Sequence, residues 1–249
     1  MKYKTFQNSD YEMLKYSSKV VIKDKNENRY YEIDESDFNT NDILWNDYNS
    51  IVNEKFFIVY IITFILFLFL NTCFYILYKP TGNVNNLSTT LMIVVYTSFN
   101  IILHELSHII SLRMFGRKID KFGFKFNYIF PSFYVRMNDA HMLSRNEKIL
   151  VHSTGLYVNM ALNLICIFIA YKFKFYNLLV ICQLFIFGIL MNSVPILNSD
   201  GYKTLLSIFM YNEKKEKIYN SKFIKILSAI NILIAVIYFL KNISYLIGI

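Results

Sequence analysis

The chain has 249 residues, 55% hydrophobic, 18% aromatic and 18% charged, with a mean hydropathy of +0.33. That balance excludes a disordered chain, a coiled coil and an ordinary soluble enzyme, in which about a quarter of residues are charged. The formal net charge of +8 arises beyond residue 55, because residues 1–55 hold 8 Lys/Arg against 11 Asp/Glu. A basic membrane protein carries such charge in its loops, so no nucleic-acid partner is expected.

Residues 1–55 are polar and open with no cleavable signal peptide. Within them, Lys19–Ile33 places two β-prone runs around Asp-Lys-Asn-Glu-Asn, the pattern of a β-hairpin in a small N-terminal segment. Phe56–Tyr78 then runs 23 residues without a charge, long enough as a helix to span a bilayer core of about 30 Å. Leu91–Leu112, Leu150–Tyr171 and Asn177–Leu197 read as further spans, the last interrupted by Pro195, and Phe223–Leu240 as a fifth. Cys73, Cys166 and Cys182 lie inside apolar runs and never as CxxC, so they read as small core hydrophobes.

Between spans, Phe122–Phe130 carries an aromatic residue at every even position. That period of two predicts a strand or hairpin at the membrane face, serving as an aromatic interfacial belt, a substrate-pairing strand through Phe124 and Phe126, or both. The connections Arg113–Lys148 and Asp200–Lys225 hold 8 and 6 Lys/Arg, while the opposite side shows Lys79, Lys172 and Lys174. The bias predicts a multi-pass cell-membrane protein with its N-terminus in the cytoplasm. The expected fold class is therefore all-α polytopic, with about five transmembrane helices, an N-terminal β-hairpin segment and a β element at the cytoplasmic face.

His104-Glu-Leu-Ser-His108 matches H-E-x-x-H. On a helix the two imidazoles stand one turn apart on one face and can converge on a Zn²⁺, with Glu105 beside them as a general base. Three ionisable groups in an apolar span are costly in a bilayer, which also points to function. Zinc needs a third protein ligand. Glu147, Glu213 and Glu216 sit in Lys-rich polar stretches, whereas Asp200 follows the Pro195-broken span at the same end as the motif. Asp200-Gly201 also suits a plain turn; paired with the His motif, the ligand reading is favoured. Gly155, Asn159 and Asn163 recur every fourth residue, a polar stripe that should face the bundle interior, for helix packing or for substrate. His141 and His152 complete the histidines, His141 in a polar loop with Asp139 and His152 at the start of the third span.

HELSH in one span, Gly155-x-x-x-Asn159 in the next and Asn192-x-x-Pro195 followed by Asp200-Gly201 resemble the site-2-protease family of intramembrane zinc metalloproteases. The resemblance covers roughly residues 87–205, taken as the catalytic core of a transmembrane domain spanning 56–249. Phe115-Gly-Arg-Lys, Pro131-x-Phe-Tyr, Asp139-Ala-x-Met-Leu and Asp200-Gly-Tyr are similar to bacterial peptide zinc metalloproteases that accompany ribosomally made, modified peptides or bacteriocins. The resemblance implies His104, His108 and Asp200 as zinc ligands and Glu105 as catalytic base, with Asn159 and Asn192 positioning substrate or the oxyanion. It implies a peptide or small membrane-associated substrate cut near the cytoplasmic face. The chain departs from the family pattern at Ser199, where Leu is usual, and at Leu156, where Pro follows the Gly.

A histidine-box di-iron enzyme needs about eight histidines and the chain has 4. The remaining alternatives are a non-enzymatic membrane subunit for peptide export or immunity, and a scaffold that holds zinc structurally; neither needs Glu105 as a base. No motif specifies an oligomeric state.

Overall fold

A polar residue inside and apolar residues outside is the reverse of a soluble helix, and α1 (Glu54–Leu77) shows it plainly: Asn71 is 0% exposed while Phe69 is 61% exposed. This computed structural model describes residues 2–37, 43–78, 87–127, 130–195, 199–212 and 220–230, with the backbone alone of 125–127 and 130–132. Among the described residues, four helices are long and apolar enough to cross a membrane: α1, α2 (Leu87–Met114), α3 (Arg145–Lys172) and α4 (Tyr176–Ser193). Residues 222–230 are helical, and the rest of the expected fifth span lies outside the described residues.

Asn53 caps α1 by accepting the Lys55 N–H at 2.9 Å. The α4 helix stops at Ser193, short of the expected Leu197, because Pro195 restricts the residue before it and cannot donate to the helix ladder. The α3 helix touches all three other spans. Its polar stripe divides: Asn163 donates to Asn71 Oδ1 at 2.8 Å and accepts the Tyr96 hydroxyl at 2.7 Å, while Asn71 also donates to the Met160 carbonyl at 3.2 Å. One chain of amides thus ties α1, α2 and α3 where lipid offers no hydrogen bonds.

The N-terminal segment is more than the expected hairpin. β1 (Tyr3–Gln7), β2 (Tyr11–Tyr16), β3 (Lys19–Asp24), β4 (Arg29–Asp34) and β5 (Asn46–Asp47) form an antiparallel sheet in the order β4-β3-β2-β1-β5. The expected hairpin is its β3–β4 pair. Both faces are covered, Met13, Val20 and Ile22 packing with Trp45, and Leu14, Tyr16 and Val21 with Met142 and Met210 of the helical part. The expected strand or hairpin at Phe122–Phe130 is likewise part of a hairpin, β6 (Lys121–Asn127) and β7 (Phe130–Arg136).

Sheet and bundle meet through buried carboxylates. Glu147 closes a capping box with Ser144 at the start of α3 and also accepts from the Tyr48 hydroxyl, Ser50 Oγ at 3.1 Å and the Ile51 N–H at 3.1 Å. Asp139 is bound by Lys23, by the Tyr30 hydroxyl at 2.7 Å and by the Lys118 N–H at 3.1 Å. Burial alone would raise the Asp139 carboxyl; these three donors outweigh it and hold it below the usual carboxylate range. Glu147→Ala strands five donors at the joint, so it should cost about 2–4 kcal/mol and speed hydrogen exchange over residues 43–52, measured by mass spectrometry in detergent.

Candidate metal centre

His104 and His108 lie one turn apart on the buried face of α2, turned toward α3. What lets them approach is Gly155, since a Cβ there would stand 2.5 Å from His104 Cε1 and 2.5 Å from His108 Nε2. The missing side chain also opens the carbonyl one turn earlier, and His108 donates its Nδ1–H to Val151 O at 2.6 Å. That bond fixes the tautomer and leaves Nε2 as a lone pair facing the site.

Asp200 comes from α5 (Asp200–Ile208), a short helix that the Asp-Gly turn reading had not anticipated. Ser199, at the position where Leu is usual, caps it by accepting the Tyr202 N–H at 3.0 Å, so the departure has a local purpose. Asn192 at the end of α4 accepts the Asp200 N–H at 3.1 Å and donates to Asp200 Oδ2 at 3.1 Å. Gly201 permits the close approach of α5 to α4, where a Cβ would be 2.1 Å from the Ser193 carbonyl oxygen.

The three side chains converge. Asp200 Oδ2 lies 2.7 Å from His104 Nε2 and 3.4 Å from His108 Nε2, and the two Nε2 atoms are 3.3 Å apart. Ligands about 2.0–2.1 Å from a tetrahedral zinc stand about 3.3 Å from one another, which two of these separations match and the third undercuts. Among the described residues this is the group of His, Cys, Asp and Glu able to hold a metal ion. Asn159 supplies a second sign of fit. Its Nδ2 lies 3.1 Å from His104 Nδ1, while among the described residues its buried Oδ1 has no hydrogen-bond partner. With the amide turned through half a circle, Oδ1 accepts the Nδ1–H and His104 Nε2 keeps its lone pair for a metal. Two neutral imidazoles and one carboxylate, with room for a fourth ligand, are the donor set of a catalytic zinc.

A protein of Bacillus subtilis (strain 168), YydH, provisionally named a peptide zinc metalloprotease protein, is 38% identical to the chain over 223 residues, 86% of each. The chain belongs to this family of peptide zinc metalloproteases. No protein-family model and no solved structure matches it. Zinc is thus the metal that this family and this donor set have in common.

In this peptide zinc metalloprotease the centre opens onto a cavity of about 770 Å³, lined by Glu105 and by Phe133, Arg136, Lys148 and Lys203 among others. Of the residues the sequence singled out, His104, His108, Asp200, Glu105, Asn159 and Asn192 all meet there. The amide of Asn192, expected at substrate or oxyanion, is instead turned onto Asp200. Phe124 is not among the lining residues: it is half-exposed on β6 with its ring centroid 5.3 Å from that of Phe133. The side chain of Phe126 lies outside the described residues. It is β7, through residues 133–136, that borders the cavity, and neither its register nor its orientation could be read from the aromatic alternation in β6.

His152 lines the cavity without joining the metal group. His141 also lines it, donating its Nδ1–H to Asn212 Oδ1 at 3.0 Å, and Asp139 is engaged by Lys23, Tyr30 and the Lys118 N–H. Burial pushes the His141 pKa down to about 4, with the charge of Lys148 adding to the effect. A histidine whose folded value lies below its unfolded value of about 6.5 loses stability as the pH falls from about 6.5 toward 4. Thermal stability should therefore decline over that window, and His141→Gln should flatten the decline, measured by melting in detergent. Gly155→Ala should cut bound zinc to below about half, while Gly188→Ala, where a Cβ meets nothing within 4 Å, should leave it unchanged by elemental analysis.

Proposed function

We propose that the chain is an intramembrane zinc endopeptidase of site-2-protease type, cutting an extended segment of a peptide or small membrane-associated substrate at the cytoplasmic half of the bilayer. Maturation of a ribosomally made peptide or bacteriocin is the role that suits it. The observation that carries the reading is the His104–His108–Asp200 cluster at the end of apolar helices, sharing one cavity with Glu105. The family membership supports the protease activity, and the Lys/Arg bias of the loops supports the cytoplasmic placing of the site.

Zinc, when bound, supplies Lewis acidity that polarises a carbonyl and acidifies water. Glu105 takes the proton of the attacking water and delivers it to the leaving amine nitrogen. Asn159 and the Val151 carbonyl hold the two imidazoles with their Nε2 atoms inward, and Asn192 holds Asp200. A helical substrate hides its scissile carbonyl, so the segment must be extended. β7, at the cavity wall, offers a strand for it to pair with.

The test compares zinc content and peptide turnover of detergent-purified protein. Wild type should hold about one zinc per chain, and His108→Ala and Asp200→Ala should lose metal and turnover together. Glu105→Gln should keep the zinc and lose a factor of about 10²–10⁴ in rate. Full biological activity in Glu105→Gln would overturn the enzyme and point to a peptide-export or immunity subunit.

A further inference from the structure

Lys148 is the fourth residue of α3 and is only 3% exposed, and among the described residues its Nζ has no hydrogen-bond partner. A desolvated ammonium without a counter-charge is costly, and the N-terminal turn of a helix, with its partial positive charge, raises that cost. The neighbouring acids are engaged elsewhere: Glu32 with Lys19 and Asn212, Asp139 with Lys23 and Tyr30, Glu147 with Ser144 and Tyr48. What Lys148 does have is the ring of Tyr16, 5.5 Å away, which steadies the cation on one side and neutralises nothing.

Lys148 also lines the catalytic cavity. Lys148, His152, Gly155 and Asn159 follow one another at spacings of four, three and four residues, so they share one face of α3. Gly155 underlies the two imidazoles and Asn159 contacts His104, so that face leads from the metal centre to Lys148. His152, between them, carries a buried Nδ1 that also lacks a partner among the described residues. Among the described lining residues the only acids are Glu105 and Asp200 of the centre itself, while Arg136 and Lys203 add further positive charge.

We infer that Lys148, with His152 one turn deeper, forms an anion subsite of the catalytic cavity that receives a carboxylate of the substrate peptide, either its C-terminus or an Asp or Glu side chain. The inference rests on the endopeptidase reading for its location and adds the substrate chemistry. The helix sets a ruler. Seven residues separate Lys148 from Gly155, about 10 Å along the axis, which an extended peptide covers in about three residues. The carboxylate therefore stands about three residues from the bond that is cut.

Zinc-loaded Glu105→Gln in detergent, which does not turn over, would be titrated calorimetrically with three probes: acetyl-trileucine with a free carboxylate, its C-terminal amide, and the C-terminal α-amide of acetyl-leucyl-leucyl-aspartic acid, whose side-chain carboxyl is free. At least one carboxylate-bearing probe should bind about tenfold or more tighter than the neutral amide. The probe that gains tells a C-terminus from an acidic side chain. Adding Lys148→Met should abolish the preference with zinc content intact, and adding Lys148→Glu should transfer it to a lysine-bearing probe. Equal binding of all three probes, binding of none at millimolar concentration, or an undiminished preference in the Lys148→Met variant overturns the subsite. Wild-type cleavage of a peptide mixture, read by mass spectrometry, separates the two ideas. Cleavage with no carboxylate preference leaves the endopeptidase standing and removes the subsite, whereas carboxylate-selective binding without any cleavage does the reverse.

Discussion

A carboxylate buried among helices is poorly served by water, so Asp200 must be satisfied by whatever the helices bring to it, and the centre is built around that demand. Its Oδ2 sits between two imidazole nitrogens and an Asn192 amide, and each of those groups is held from behind. Asn159 and the Val151 carbonyl orient the imidazoles, and Gly155 and Gly201 remove the two side chains that would keep α3 and α5 away. A cation at the convergence point removes the remaining repulsion among lone pairs. The close packing of four helices and the metal centre are therefore one problem with one solution.

Much of this was legible because it is local. An apolar run longer than a bilayer is thick announces a span by itself, and HELSH announces a metal site because helix geometry puts positions 104 and 108 on one face. The stripe through Gly155 and Asn159 was readable for the same reason, although spacing alone could not separate Asn159, at the metal, from Asn163, in the packing. The unreadable features are non-local. Three of the five N-terminal strands went unseen because β1 and β2 carry mixed burial and because β5, a two-residue strand, pairs with β1 from about forty positions away. The amphipathic turn at Asp200 is too short to display a period. Lys148 looked like one more basic residue of a charged connection, and only the three-dimensional arrangement shows that, among the described residues, its neighbouring acids are bound to other partners.

The N-terminal sheet belongs to the same structure as the centre. Met142 and Met210 complete its hydrophobic core, and Asn212, which donates to Glu32 on β4, also lines the cavity. Glu147 begins the helix that carries Gly155 and Asn159, so the carboxylate fastening the sheet also fixes where that helix starts. The outer wall of the cavity is set by residues whose positions depend on a well-packed β-sheet rather than on a loose loop, which favours a preformed site over one assembled by its substrate.

The amide chain from Asn71 through Asn163 to Tyr96 has a bearing on biogenesis. Each of these side chains enters the membrane on its own helix, and none of the three cross-helix bonds exists until the helices have found one another. Before that moment each span carries an unsatisfied polar group in hydrocarbon, so the inserted but unassembled protein is the species most exposed to membrane quality control. After it, the helices are latched in one register. The same bonds that make the separate spans poor lipid residents are what commit them to a single partnership.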